Sequence, residues 1–343
     1  MKLFSFALLC LPLLFPAPRQ GDYEQAAADT MEVWGAWAAE QLMSGEIVEK
    51  AYIPNTSRDN RVLVWVPKGT KSSRLMSASK KTVAIFDKLF DPATREASAA
   101  PVRTAVLFPL SGPKSFKSIT EAAASSNPAL AGWASAATGG VGFLLEDPLS
   151  AGWLLDVPNS EVWNVENELV NRLARLLTLE RYGRQPHWLA QGLAWHVELK
   201  VCKDVYCFPY RSGFVSKKEH KSWAKRLPLV MEERGETPLT AGDLAGWSRN
   251  SWQADSAALA SGAVDMLVKH YPDEMPKVLS AFAQTRNKDG RKTESDGSWQ
   301  LIPDYEIPSE QEQEILNREL GVDFLVEFDR YAREPGRYRR PRK

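Results

Sequence analysis

The fold assignment depends on the stretch NVENELVNRLARLL, residues 164–177. Inside it, Asn167 and Asn171 are identical polar residues four positions apart, and Glu168 directly follows the first. Four residues are slightly more than one helical turn, so both amides lie on one face of a helix. The stretch is therefore predicted to be a helix that brings several polar side chains to one site.

The layout N-E-x-x-N is that of the helix H-E-x-x-H, with asparagine at both histidine positions. In H-E-x-x-H helices the histidines bind zinc and the glutamate is the general base for metal-bound water. Taken alone, the pentapeptide also fits an ordinary amphipathic helix in which Leu169 and Leu173 are buried. This helix is expected to run from about residue 159 to Tyr182, where Gly183 can stop it.

A second segment, PHWLAQGLAWHVE at residues 186–198, makes the pattern specific. It resembles the P-x-W-L-x-E-G-L-A-x-x-x-E segment of the gluzincin metallopeptidases, in particular the peptidase MA-like proteins that include the DUF1570 group. The matching positions are Trp188, Leu189, Gly192, Leu193, Ala194 and Glu198. In that family the glutamate before Gly-Leu-Ala is the third zinc ligand, and Gln191 holds its place here.

The resemblance covers about residues 60–332. It implies an α+β, zincin-like fold with a mixed-sheet N-terminal lobe, an active-site helix and a helical C-terminal lobe. In the family, the strand that corresponds to 141–146 is the edge along which a bound peptide lies. Apolar spacing predicts strands at 61–66, 104–109 and 141–146, and helices at 73–89, 188–199, 254–270, 274–283 and 310–331. A soft Ser/Ala/Gly-rich segment is expected at 121–140 and a polar loop at 286–299.

The positions at which this sequence differs from the family pattern are those that would bind the zinc ion. Asn167, Asn171 and Gln191 are degenerate metal-ligand positions, because an amide is a neutral, weak ligand and zinc favours imidazole, thiolate or carboxylate. Glu168 is retained as the relic of a general base, but it lacks the metal that would activate water. Trp188, Gly192 and Glu198 are expected to line the cleft. Zinc is therefore predicted to be lost, and no cofactor is expected.

The resulting hypothesis is a catalytically inactive pseudopeptidase that binds a peptide or protein partner in the former cleft. In this interpretation the amides could hydrogen-bond one another where the metal was held. An active metal-dependent peptidase with non-standard ligands remains the alternative, and a structural envelope protein is a third class. An oxygen-only calcium site has a single carboxylate, and the histidines do not rebuild a zinc site by their spacing. They are His187, His196, His220 and His270.

The N-terminus predicts export. Residues 1–20 combine one lysine with a short apolar run, as in a signal peptide, and the remaining chain is expected to be secreted or periplasmic. In an oxidising compartment Cys202 and Cys207 are close enough in sequence for a disulfide, with a metal pair as the rival interpretation. Forty-three basic and 43 acidic residues balance, so overall charge gives no indication of nucleic acid.

The predicted organisation is a signal peptide at 1–20, a helical or extended segment at 21–60, the peptidase MA-like domain at 61–332 and a basic tail at 333–343. The arginines of the tail include Arg337, Arg339 and Arg340. They are interpreted as a solvated end or as a contact to an anionic envelope surface.

Overall fold

The computed structural model describes residues 25, 50–90, 103–126, 130–137, 140, 142–155, 165–205, 217–245, 254–293, 299–301 and 305–341. The predicted signal peptide, most of the segment 21–49 and Cys207 lie outside these residues. No helix among the described residues is long and apolar enough to cross a membrane.

A five-stranded mixed sheet forms one half of the structure. Its strands are β1 (Tyr52–Thr56), β2 (Val62–Pro67), β3 (Ala105–Leu110), β4 (Gly142–Leu145) and β5 (Ser150–Leu154). They lie in the order β1-β2-β3-β5-β4; the three central strands are parallel, and β1 and β4 are antiparallel edges. β2 and β3 are buried at every position, which explains their continuous apolar runs. β1 and β5 were not predicted as strands.

The helices accompany the sheet and then form the rest of the structure. They are α1 (Ser72–Leu89), α2 (Pro113–Ser126), α3 (Ala131–Ala137), α4 (Val165–Tyr182), α5 (His187–Cys202), α6 (Lys217–Arg234), α7 (Ala241–Ala245), α8 (Ala254–His270), α9 (Met275–Asp289), α10 (Ser309–Leu320) and α11 (Phe324–Arg333). A short hairpin of β6 (Arg291–Thr293) and β7 (Trp299–Leu301) follows α9. The chain is thus α+β, as predicted.

Each face of the sheet packs on different helices, because side chains of a strand alternate between its two faces. Val64 of β2 belongs to the large core that also contains Leu169 and Leu173 of α4. Its neighbour Trp65 belongs to a smaller core on the other face, together with Phe116 of α2. The sheet therefore lies between α2 and the helices α1 and α4.

The two helices of the predicted site, α4 and α5, form a hairpin. Gly183 ends α4 at φ 70°, a conformation that favours glycine. Pro186 immediately precedes α5, where its missing N–H costs no hydrogen bond. The amide nitrogen of Gln185 holds the turn by donating to the carbonyl oxygens of Tyr182 (2.9 Å) and of Leu279 in α9 (3.1 Å). The predicted ends of both helices agree with the structure to within three residues, except that residues 156–164, where α4 was expected to begin, lie outside the described part.

Four expectations about segments were wrong, and one of them is the single helix at 310–331, which is two helices because Gly321 ends α10 at φ 69°. The segment 121–140, expected to be soft, contains the end of α2 and all of α3, because its alanines favour helix. The segment 286–299 was expected to be a polar loop, but α9 continues to Asp289 and the β6–β7 hairpin follows. His220 was placed in a charged loop and lies within α6.

The predicted basic tail packs against the helical half over its described part. Tyr338 is 4% exposed, and its hydroxyl donates to Oε2 of Glu327 at 2.8 Å. Arg340 pairs with Glu274 and stacks on the ring of Tyr271. Of the other two arginines assigned to the tail, Arg337 pairs with Glu334 at 3.5 Å, and Arg339 donates to the carbonyl oxygen of Tyr338.

Candidate functional site

A buried carboxylate joins the two asparagines of the N-E-x-x-N helix. Nδ2 of Asn167 donates to Oε1 of Glu198 at 2.7 Å, and Nδ2 of Asn171 donates to Oε2 of the same residue at 3.0 Å. Asn167 also donates to the carbonyl oxygen of Asp204 at 2.9 Å. Glu198 lies on α5, which runs antiparallel to α4. The asparagines therefore bind the same carboxylate rather than each other.

All three side chains are removed from water: Asn167 is 1% exposed, and Asn171 and Glu198 are 0% exposed. A carboxylate oxygen can only accept hydrogen bonds, so each amide must present its nitrogen to Glu198. Hydrogen bonds to an ionised acceptor are roughly twice as strong as neutral ones. These bonds replace part of the hydration that Glu198 loses on burial.

Glu168, the expected relic base, is held in an ion pair one turn along the same helix. Nε of Arg172 donates to Oε1 of Glu168 at 2.6 Å, and both side chains are buried. Arg172 also donates to the carbonyl oxygen of Phe143 in β4 at 3.0 Å. A Cβ atom added to Gly142 would lie 2.3 Å from the same guanidinium, so glycine allows this approach. The pair thus connects α4 to the edge strand.

Gln191 does not join the asparagines. It lies seven residues before Glu198, and two helical turns separate them by about 10 Å along α5. Its side chain is 1% exposed, and neither amide atom has a hydrogen-bond partner among the described residues. Of the three expected ligand positions, the two asparagines therefore bind Glu198. Gln191 lies further towards the α4–α5 turn.

Of the residues expected to line the cleft, Trp188 lies at a cavity and the other two do not. Nε1 of Trp188 donates to Oε2 of Glu312 at 2.9 Å. Gly192 packs against α8, where an added Cβ would lie 2.7 Å from Cγ2 of Val264 and 2.9 Å from the carbonyl oxygen of Ala260. Its role is close helix packing, and Glu198 is the buried acceptor described above.

The cavity at Trp188 has a volume of about 450 Å³ and lies at the turn between α4 and α5. Leu144 and Glu146, at the end of the edge strand β4, form one side of it. Arg175, one turn beyond Asn171, forms part of the α4 side. Burial raises the pKa of Glu312, in its wall, to about 7, although the hydrogen bond from Trp188 opposes the shift.

A second cavity of about 420 Å³ is lined by Asn167 and lies between α1 and the end of α5. Cys202 lines it as a half-buried free thiol. Burial, and then the negative charges of Glu198 and Glu166, raise the pKa of this thiol to about 12. Because Cys207 lies outside the described residues, the disulfide stays a prediction.

Among the described side chains no histidine contacts the Asn167, Asn171 and Glu198 centre, although His187 lines the cavity at Trp188. His196 lies on α5 two residues before Glu198, about 200° around the helix from it, and the charge of Asp265 acts on its ring. Burial lowers its pKa to about 4, although the charge of Asp265 opposes the shift, so the ring is neutral at pH 7. Within the described ranges, no group of three or more His, Cys, Asp or Glu side chains is arranged to hold a metal ion.

The sequence analysis did not predict the ion pair of Arg172 or the role of Glu198 as the acceptor for both asparagines. The signal for Arg172 was present, because glutamate followed four residues later by arginine is a favourable helical pair. Glu198 was recognised only as a cleft position. No protein-family model matches this chain, and no curated protein matches it either.

Proposed function

We propose that this chain is an exported, catalytically inactive relative of the gluzincin metallopeptidases, with a zincin-like fold, that binds a peptide or protein partner beside its former active site. The observation that carries the proposal is the pair of hydrogen bonds from Asn167 and Asn171 to Glu198. A site that was built for a cation is here arranged around an anion.

The residues present do not fit a zinc ion. Both amide nitrogens that face the centre are donors, and they have no lone pair to offer a cation. Gln191, the third expected position, lies about two helical turns from Glu198. Glu168 has the wrong surroundings for a base that activates water, because its carboxylate is paired with Arg172. Metal-assisted hydrolysis is therefore not part of the proposal.

Two features support binding next to this centre. β4 is an edge strand, and an exposed edge can accept an extended peptide as an additional strand. The cavity of about 450 Å³ continues from the end of β4, and this volume is typical of ligand sites. The ion pair of Glu168 with Arg172, whose guanidinium also donates to the carbonyl oxygen of Phe143, fixes the edge strand against α4 without a metal.

Measuring the zinc content of the purified protein tests whether it is catalytically inactive. The purified protein, incubated with zinc and then dialysed, should contain far less than one zinc per chain and should show no proteolysis that a chelator blocks. Near-stoichiometric zinc, together with chelator-sensitive cleavage of a protein substrate, would establish the active-peptidase alternative instead.

Peptide binding tests the proposed binding of a partner. A pool of random-sequence peptides should bind saturably, and Leu144→Asp should weaken this binding because it places a charge in the wall of the cavity. Val326→Asp is the matched control, since Val326 is an exposed apolar residue of α11 outside the cavity. Equal binding by the two variants would remove the cleft from the proposal.

A further inference from the structure

We propose that the 450 Å³ cavity at the α4–α5 turn is an anion-binding site in which the guanidinium of Arg286 holds a carboxylate or phosphate group of the ligand. This site would recognise the ligand of the proposed function. It rests on that function only where the carboxylate is taken to come from a peptide. Binding of an anion by Arg286 depends on the cavity alone.

Arg286 is buried without an ion pair to any described residue. It projects from the last turn of α9, lines the cavity and is 6% exposed. Its Nε has no hydrogen-bond partner, and no described residue forms an ion pair with its guanidinium. The C-terminus of α9 offers only the weak field of a helix dipole. A buried charge in this state is destabilising unless something else binds it.

The other buried arginines each form an ion pair with a carboxylate. Arg172 pairs with Glu168, and Arg61 and Arg181 share Asp87. Among the buried arginines of the described residues, Arg286 alone lacks a carboxylate partner. Its guanidinium borders a cavity instead, so the missing partner is expected to come from the ligand.

Among the charged neighbours of Arg286, Arg184 has a larger effect than Glu146, and this favours an anion next to Arg286. Burial lowers the pKa of this guanidinium, and the positive charge of Arg184 lowers it further, although Glu146 opposes both. An anionic group between Arg286 and Arg184 would reduce this repulsion. The lining as a whole is balanced, with three glutamates and three arginines: Glu146, Glu306, Glu312, Arg175, Arg184 and Arg286. Of the glutamates, Glu312 accepts from Trp188, and burial raises its pKa to about 7, so its negative charge is incomplete at neutral pH.

The rest of the lining indicates what accompanies the anion. Leu144, Leu179 and Ile307 contribute apolar surface to the same cavity. A planar guanidinium can bind carboxylate or phosphate oxygens through two parallel hydrogen bonds. The expected ligand group is therefore an anion next to an apolar portion, such as the terminal carboxylate of a peptide with an apolar last side chain.

Titration calorimetry at constant ionic strength tests the inference with three probes: inorganic phosphate, a random peptide pool with free terminal carboxylates, and the same pool amidated. At least one of the two anionic probes should bind, and Arg286→Met should weaken it about 10- to 100-fold. Arg286→Lys should retain part of the binding. Arg318→Met is the control for loss of one positive charge, because Arg318 is exposed and pairs with Glu319.

Stability provides a second readout. Methionine preserves the apolar stem of Arg286 and removes an unpaired charge, so the unliganded Arg286→Met variant should be as stable to urea as the wild type, or more stable. A clear loss of stability would mean that the guanidinium has a structural partner, and it would overturn the inference. So would wild-type binding of neither phosphate nor the free-acid pool, or unchanged binding by Arg286→Met.

The probes separate this inference from the proposed function. If the free-acid and amidated pools bind equally, the cleft binds peptides but Arg286 does not read their terminal carboxylate. If phosphate binds and both pools fail, the anion site stands and the peptide function does not. Binding of the free-acid pool alone, without phosphate, supports both and identifies the carboxylate as the group that is recognised.

Discussion

The indole nitrogen of Trp188 donates to a carboxylate oxygen of Glu312, 124 residues later in the chain, at 2.9 Å. This bond ties the start of α5 to α10 across the wall of the cavity. Glu312 is nonetheless poorly solvated, and burial raises its pKa from the ordinary 4.5 to about 7.

We expect Glu312→Gln to change the pH dependence of unfolding. Between about pH 4.5 and 7 the folded protein holds a proton on Glu312 that the unfolded chain releases, so stability falls as pH rises through this window. The loss attributable to this carboxyl is about 3 kcal/mol by pH 8. Glutamine keeps an acceptor for Trp188 and has no charge, so the variant should exceed the wild type at pH 8 and match it near pH 4.

Urea denaturation at both pH values measures the effect, and taking the difference from wild type removes contributions of other groups such as His196. Glu314→Gln, at an exposed position of the same helix, should leave the wild-type pH dependence unchanged. Identical slopes for the wild type and Glu312→Gln would show that the carboxyl titrates normally.

Asn171→Asp should create a buried pair of carboxyl groups. The new side chain would face Oε2 of Glu198 at the position where the amide nitrogen now lies 3.0 Å away. Two carboxylates this close cannot both ionise freely, so the pair retains a proton to a pH above that of the unfolded chain. The variant should lose stability as pH rises above about 4, and the deficit at pH 8 should reach about 3 kcal/mol or more.

Unfolding by urea at pH 4 and pH 8 again provides the measurement. Asn287→Asp is the control, because it makes the same chemical change at an exposed position of α9. A pH-independent deficit in Asn171→Asp would indicate a packing defect rather than a shared proton, and it would argue against the contact between Asn171 and Glu198.

Arg172→Met should be strongly destabilising, because it leaves the 1% exposed Glu168 as a buried charge without its partner. Breaking a buried pair in this way typically costs about 3–5 kcal/mol. Adding Glu168→Gln should recover much of the loss, which a double-mutant cycle would report as coupling. Arg74→Met should change stability by less than about 1 kcal/mol, since its pair with Glu166 is exposed. A similarly small effect of Arg172→Met would contradict a structural role for the pair.

Local signals explain which parts of the structure could be predicted. The ends of the α4–α5 hairpin follow from Gly183 and Pro186, whose backbone preferences act within a few residues. The partner of the asparagines depends instead on how far one helix is shifted along the other, which spacing in sequence does not determine. For this reason Gln191 was expected near Asn171, whereas Glu198 lies there.

The anion cavity could not have been predicted in the same way. Arg184 and Arg286 are about a hundred positions apart in the chain and approach each other only because α9 packs on the α4–α5 turn. Nothing next to Arg286 in sequence distinguishes it from the other arginines of the chain. That no described residue pairs with it is a property of the packed structure.

The position of Glu198 predicts that two substitutions are enough to create a zinc site. If this carboxylate occupies the centre of a former ligand set, then Asn167→His together with Asn171→His should place two imidazoles beside it. Two histidines and one carboxylate are a standard zinc ligand set. We therefore expect the double variant to gain zinc affinity that the wild type lacks, with Glu198, not Gln191, as the third ligand.

Calorimetric titration with zinc would measure this gain, and two triple variants identify the ligand. Adding Glu198→Gln should abolish the gain, because a neutral amide is a poor zinc ligand. Adding Gln191→Leu should leave it intact, since Gln191 lies about two helical turns from the centre. The opposite pattern, in which loss of Gln191 matters and loss of Glu198 does not, would mean that the helices pair in the register of the active enzymes. Failure of every variant to bind zinc would leave the two asparagines as structural donors to a buried carboxylate and remove the support they give to a metallopeptidase origin.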